Sequence, residues 1–216
     1  PNPTVAVSNQ TICPSQTVIL TASGATTYSW NTGATTNTIS VSPASLTIYT
    51  VTGTTSLCSN TQTVSVTVAS QPTVAVANAS ICSGNSTILT ASGATNYTWT
   101  PGGQLTNTVS VSPGSTTVYT ITGATGTCTT STTATVNVTS TPTLATSSKT
   151  ICAGQVATFT VSGATTYTWN PGNITSPTLS VTTSGHYVVT ANANGCSTTD
   201  SLDVNFAPAP TVTLPA

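Results

Sequence analysis

Charge is almost missing from this chain. Lys149, Asp200 and Asp203 are its only acidic or basic side chains, joined by the single histidine His186. Acidic and basic residues make up 1% of the 216 residues, against about 25% in ordinary soluble domains. Nucleic acid is excluded as an electrostatic partner, because neutralising phosphates needs Lys and Arg. A polybasic membrane-surface patch is excluded for the same reason. No apolar run approaches the roughly 18 residues of a membrane span, so membrane insertion is not expected. Methionine is absent, as are the Ala, Leu, Glu and Lys runs that build long helices. No charged-then-apolar leader follows Pro1, so a signal peptide is expected to have been removed or to lie outside this chain.

What is present is hydroxyl and β-branched. Thr and Ser make up more than a third of the chain, and hydrophobic residues reach 37%. That is too apolar for the usual disordered composition. Val, Ile, Thr, Tyr and Trp dominate the periodic stretches, and these are strand formers. An all-β chain without charge repulsion should associate with its own kind unless something protects it. Carbohydrate cover, or an assembled or tethered state, is therefore expected.

Self-comparison shows three copies of one unit. "TICPSQTVILTASGATTYSW", "SICSGNSTILTASGATNYTW" and "TICAGQVATFTVSGATTYTW" align, each after a proline-led stretch at Pro3, Pro72 or Pro142. The boundaries read as residues 1–70, 71–140 and 141–207, with 208–216 opening a fourth copy from "PTVTLPA" at Pro210. The period of about 70 residues is a domain length. In the first copy, alternation marks strands at "TVAVSN", "TVILTASG", "TTYSWNTG" and "NTISVSP", then a hairpin of "LTIYTVTG" and "TQTVSVTVA" around Cys58. In the third copy that hairpin carries Asn194-Gly195, a two-residue turn signal. Six or seven short strands punctuated by turns suggest a sandwich of two sheets. Short, stiff, proline-containing linkers suggest domains arranged as a rod.

Six cysteines fall two per copy: Cys13 and Cys58, Cys82 and Cys128, Cys152 and Cys196. No close pairs suggest zinc. An even count in regular places reads as disulfides in an oxidising compartment. Pairing within each copy is the favoured expectation and would contribute about 4 kcal/mol per bond in the chain-entropy model. The rival links Cys58 to Cys82 and Cys128 to Cys152, leaving Cys13 and Cys196 for neighbouring copies. Free buried thiols are the third reading.

The order of Pro-led strand, "IC", "LTASGAT-x-Y-x-W", "SVSP", "T-x-YT-x-TG" and a second Cys resembles the immunoglobulin-like repeats of secreted Bacteroidota surface proteins. Cys13, Trp30, Tyr49 and Cys58 carry the match, with Cys82, Trp99, Tyr119, Cys128 and Cys152, Trp169, Tyr187, Cys196 in the later copies. The first copy departs from it with Pro14-Ser15, where the others have Ser83-Gly84 and Ala153-Gly154. The resemblance implies tandem immunoglobulin-like sandwiches of a gliding-motility or type IX secretion-associated adhesin. It also implies an extracellular, cell-surface location and no catalytic residues.

Little chemistry competes with that reading. A Ser-His-Asp set would need His186 with Asp200 or Asp203 and a serine. Two aspartates three apart on a strand point to opposite faces, so they cannot form an acid–base pair. Two acids are too few for an ordinary calcium site, and no cofactor or metal is expected. Asn-x-Ser/Thr matches carry no information in so hydroxyl-rich a chain. Asp200-Ser201-Leu202 resembles the Asp-Ser/Thr-aliphatic O-glycosylation sequence of Bacteroidota, which makes Ser201 a candidate site.

The three aromatic pairs, Tyr28 with Trp30, Tyr97 with Trp99 and Tyr167 with Trp169, admit two readings. On an extended chain each pair shares one face, as a sugar platform or as core. One Trp per copy, at the place where immunoglobulin-type sandwiches bury one, points to core. The expected function is a non-catalytic stalk or filament segment of a large surface adhesin. Its expected partners are neighbouring repeats, lateral self-assembly into filaments, and surface polysaccharide. The alternative is carbohydrate-binding or spacer modules of a secreted polysaccharide-degrading enzyme.

Overall fold

Strict alternation of apolar and hydroxyl residues commits most of this chain to half-buried strands. The computed structural model describes residues 2–208, and every regular element among them is a strand. The first repeat has β1 (Gln10–Ile12), β2 (Val18–Thr21), β3 (Thr27–Trp30), β4 (Thr38–Val41), β5 (Thr47–Thr55) and β6 (Cys58–Val68). The second has β7 (Ala75–Val76), β8 (Ala79–Cys82), β9 (Thr87–Ser92), β10 (Asn96–Thr100), β11 (Thr108–Val111), β12 (Thr117–Thr125) and β13 (Cys128–Thr139). The third has β14 (Lys149–Cys152), β15 (Ala157–Thr160), β16 (Thr166–Asn170), β17 (Thr178–Val181), β18 (Gly185–Ala193) and β19 (Cys196–Ala207).

These strands gather into two compact units. One holds Pro1–Ala77, Ile88–Val109 and Val118–Ala134, and the other Asn78–Thr87, Ser110–Thr117 and the chain from Thr135. The first and third repeats each fall in one unit, and the middle repeat contributes to both.

In the first repeat one sheet runs β1-β6-β5-β3, and β2 pairs with β4 in the other. The third repeat repeats this as β14-β19-β18-β16 with β15-β17. Inward positions of the long strands close the cores. Leu20, Trp30, Val51, Val64 and Val66 meet in the first repeat. Phe159, Trp169, Leu179, Val189, Leu202 and Val204 meet in the third. Outward positions are mostly hydroxyl, and they bond across the strands. Thr52 pairs with Thr61 at 3.0 Å and Thr54 with Ser59 at 2.9 Å, in the register that sets them opposite each other. Such pairs give the lateral stabilisation that opposite charges give elsewhere.

The opening stretches differ from expectation. "TVAVSN" makes only a single bridge, Ala6 with Ser23, β7 is two residues long, and no strand precedes Lys149 in the third repeat. The reason is a change of sheet. After its brief contact with the β2 side, the chain crosses over, and β1 pairs in parallel with β6. Side chains supply acceptors near the crossing. Asn9 Oδ1 accepts from Ser65 N at 2.9 Å, Asn78 Oδ1 from Thr135 N at 2.8 Å, and Ser148 Oγ from Asp203 N at 3.0 Å. Val5 is nevertheless buried, so the segment packs even where it does not pair. The fourth opening strand expected from Pro210 lies outside the described residues.

Two turn expectations can be read directly. Asn194 and Gly195 both have positive φ, 51° and 82°, as a type I′ hairpin requires. Ser15, the departure in the first repeat, adopts φ 64°, the left-handed region that Gly84 and Gly154 occupy at 86° and 88°.

The cysteine pairing corrects both pairings expected from spacing. The bonds are Cys13–Cys128 and Cys82–Cys196, while Cys58 and Cys152 are free. Parallel pairing explains this. Ile12 lies opposite Val68, the last residue of β6, whereas Cys58 is the first residue of that strand. At about 3.3 Å per residue, Cys13 and Cys58 stand roughly 30 Å apart, far beyond the ~7 Å Cα limit for a disulfide. The third repeat has the same geometry, with Cys152 opposite Ala207 at the far end of β19 from Cys196. The first cysteine of a repeat therefore bonds the second cysteine of the next one. Loops of 115 and 114 residues are closed, each worth about 5 kcal/mol in the chain-entropy model.

Candidate functional site

The recurrent Tyr-x-Trp stretches fold as β3, β10 and β16. Their register is fixed by the neighbouring strand: Trp30 opposite Val51, Trp99 opposite Ile121, Trp169 opposite Val189. All three indoles are buried, at 3%, 0% and 0% exposure. Each Nε1–H donates to a main-chain carbonyl of the following loop: Thr36 at 2.9 Å, Thr106 at 2.8 Å, Ser176 at 3.0 Å. A buried indole N–H needs such a partner, and the bond ties the loop to the core.

The tyrosines sit on the same side. Tyr28 is half-buried, and Tyr97 and Tyr167 are buried. Each hydroxyl folds back on its own turn. Tyr28 Oη donates to Ala25 O at 2.9 Å and accepts from Ala25 N at 3.0 Å, and Tyr97 and Tyr167 do the same with Ala94 and Ala164. Opposite Tyr28 and Tyr97 stand Gly53 and Gly123. A Cβ on Gly53 would press on the Val5 and Ala25 side chains, and one on Gly123 on Val74 and Ala94. The opening segment closes over these two positions, whereas the third repeat places Ala191 opposite Tyr167. With the indoles buried and these hydroxyls bonded, the Tyr-x-Trp pairs form no aromatic platform for a sugar among the described residues.

Each cystine lies against the hairpin tip of the following repeat. Thr127 Oγ1 is 3.9 Å from Cys13 Sγ, and Gly195 O is 4.0 Å from Cys82 Sγ. Cys196 Sγ approaches Thr139 O at 3.9 Å. Cys128 and Cys196 are buried at 0% and 2% exposure, while unbonded Cys58 is half-buried and Cys152 exposed. The residues before Cys128 and Cys196 thus belong to the contact, which spacing alone did not reveal. A usable signal was present in the sequence: each second cysteine opens the last long strand, so it sits at a hairpin tip.

Among the polar candidates, His186 and Asp203 stand opposite each other on β18 and β19, with Nδ1 2.9 Å from Oδ1. Both are more than half exposed, and a surface pair of this kind contributes about 0–1 kcal/mol. Among the described residues, the serine contact on this aspartate joins Ser148 Oγ to the Asp203 backbone N–H, not to the imidazole. Asp200 points to the other face of β19. Thr146 Oγ1 donates to its Oδ2 at 2.7 Å, Ser201 N to its Oδ1 at 2.9 Å and Thr146 N to its Oδ2 at 3.2 Å. These bonds, led by the Thr146 hydroxyl, hold the carboxyl below its ordinary value. Ser201 is exposed on β19, on the face of Asp203, so its hydroxyl is open to modification. Among the described residues no group of three His, Cys, Asp or Glu side chains could hold a metal.

No known family description matches this chain, and no curated protein sequence matches it. Solved structures do. A titin structure of three immunoglobulin domains, an E-to-A mutated variant, superposes with a TM-score of 0.50 at 10% identity, covering 93% of this chain and 96% of that one. The I-band fragment of the same titin domains gives 0.50 at 9% identity, covering 94% and 97%. Extracellular domains 3–5 of Drosophila OTK give 0.41 at 11% identity, covering 95% of each chain. At these identities the likeness is one of fold: tandem immunoglobulin-like sandwiches.

Two outcomes are predicted. Tryptophan emission will be blue-shifted and resistant to acrylamide, and Trp99→Ala will destabilise by about 3–5 kcal/mol in chemical denaturation. Red-shifted, readily quenched emission would contradict the buried indoles. Asp200 is more acidic folded than unfolded, so its contribution is fully present above the unfolded value near pH 4. It is lost as the pH falls through the lower folded value. Melting curves from pH 6 to 2 should therefore show a smaller acid-induced loss in Asp200→Asn than in the parent chain.

Proposed function

We propose that this chain is a non-catalytic, extracellular structural segment of a large surface adhesin, built to hold its length under load. Interlocked disulfide loops carry the reading. Cys82 lies inside the loop closed by Cys13–Cys128, and Cys128 lies inside the loop closed by Cys82–Cys196. A force applied to the chain ends must pass through both bonds. Between Cys13 and Cys196 only the stretch from Cys82 to Cys128 can then pay out, about a quarter of the residues there.

Several observations fit. Disulfides belong to oxidising compartments, and no helix among the described residues is long and apolar enough to cross a membrane. Tandem immunoglobulin-like domains suit a structural or adhesive module. The resemblance to secreted Bacteroidota repeats supplies the finer reading, with type IX export, glycan at Ser201, and filaments or surface polysaccharide as partners. The alternative is carbohydrate-binding or spacer modules of a secreted polysaccharide-degrading enzyme; its carbohydrate-binding form calls for an exposed aromatic face, and among the described residues the three indoles are buried.

Single-molecule stretching between the chain ends tests this. The oxidised chain should gain roughly a quarter to a third of the contour length that the same chain gains in reductant. Equal extension in both states would refute the load-bearing reading.

A further inference from the structure

We propose that the third repeat carries a binding site for an acidic sugar unit, with Lys149 as the group that holds its carboxylate. Resting on the surface-adhesin reading above, this names the kind of polysaccharide that one repeat of the array would hold.

The site begins with a displaced segment. In the first repeat Ala6 N donates to Ser23 O at 3.1 Å and Ser23 N to Ala6 O at 3.0 Å, which draws the opening segment against the β2 side. In the second, Ala75 and Val76 pair with Ser92 and Ala91. The equivalent residues of the third repeat, Ala145 and Ser162, belong to no strand and no bridge. The difference lies in two positions. Thr146 stands where the other repeats have Val7 and Val76, and Asp200 where they have Gln62 and Thr132. Thr146 donates its hydroxyl and its N–H to Asp200 Oδ2, at 2.7 and 3.2 Å, and so turns toward β19. A cleft of about 300 Å³ lies between this segment and β15, and Thr146, Ser147, Lys149, Thr158, Phe159 and Thr160 line it. Ligand pockets start at about this size.

Lys149 supplies the charge. It is the only basic residue of the chain, and Gln10 and Ala79 take its place in the other repeats. Its Nζ donates to Thr158 O at 3.1 Å and stands 5.0 Å from the centre of the Phe159 ring, which fixes the ammonium at the cleft. An ammonium has three N–H donors, so two remain for a ligand. Among the described residues no carboxylate lies within ion-pair distance of it. Asp200 is bonded to Thr146 and to Ser201 N, and Asp203 faces His186. A ligand carboxylate would therefore meet a positive charge that nothing neutralises, in a charge-assisted hydrogen bond.

The rest of the lining suits a sugar ring. Ser147, Thr158 and Thr160 bring hydroxyls to the cleft, and a hydroxyl both donates and accepts. Phe159 is buried, and its ring lies beneath the ammonium. The site thus selects by charge and hydroxyls and not by stacking. One positive charge in a cleft of this size fits one uronate unit, a sugar ring with a single carboxylate.

Nuclear magnetic resonance titration of the ¹⁵N-labelled, oxidised chain at neutral pH tests this. The probes are trigalacturonate, its uncharged methyl ester and acetate. Trigalacturonate should shift the amides of Thr158, Phe159 and Thr160 to saturation, while the ester and acetate at equal concentration leave them in place. Lys149→Gln should weaken trigalacturonate binding about ten-fold or more, the loss of one charge-assisted hydrogen bond. Unchanged tryptophan emission and both disulfides retained check that the variant folds. Equal shifts from the ester or from acetate would overturn the proposal. So would unchanged affinity in Lys149→Gln, or no shift with millimolar trigalacturonate. The stretching result depends on the two disulfides and not on Lys149, so either idea can fail without the other.

Discussion

The parallel pairing of β1 with β6 places Ile12 opposite Val68, and the fate of every cysteine follows from it. It sends the two cysteines of a repeat to opposite ends of the sandwich. Neither can then serve its own domain, and each bond must tie one repeat to its neighbour. A domain of about 70 residues is small enough to be marginal on apolar burial alone. Here the covalent links add to the stability of the array and not of a single sandwich. The crossover that makes the pairing possible is held by Asn9, Asn78 and Ser148, short side chains that accept main-chain N–H groups near the change of sheet.

The shortage of charge has a structural counterpart. Long outward strand faces usually carry ion pairs; here they carry hydroxyl pairs such as Thr52–Thr61 and Thr122–Ser131. Neutral pairs of this kind are insensitive to salt, unlike surface ion pairs. The few charges present sit in the third repeat, where Asp200 is bonded to Thr146 and Asp203 faces His186. Stability across pH should therefore be nearly flat in the first two repeats. It should be weakly acid-sensitive in the third.

Much of the fold was legible in the sequence because its signals are local. Alternation marked the long strands, Asn194-Gly195 marked its turn, and one Trp per repeat pointed inward. What could not be read was non-local. A parallel pair between β1 and β6 leaves no signature in hydrophobic period, so cysteine spacing suggested within-repeat bonds that the sheet forbids. The short opening strands were overread for a related reason: Val5 is buried by packing while its backbone does not continue a ladder. The candidate site was legible as a negative, since the aromatics belonged to the core. Its positive content, the hairpin tip pressing on the preceding repeat's cystine, depended on that unseen register.

The account stands most directly on which sulfurs are joined. Proteolysis of the oxidised chain with free thiols blocked, followed by mass spectrometry of the linked peptides, reads this out. Monomeric chain should give Cys13 linked to Cys128 and Cys82 linked to Cys196, with the blocking label on Cys58 and Cys152. Peptides joining Cys13 to Cys58, or Cys152 to Cys196, would contradict the parallel strand at the centre of the fold.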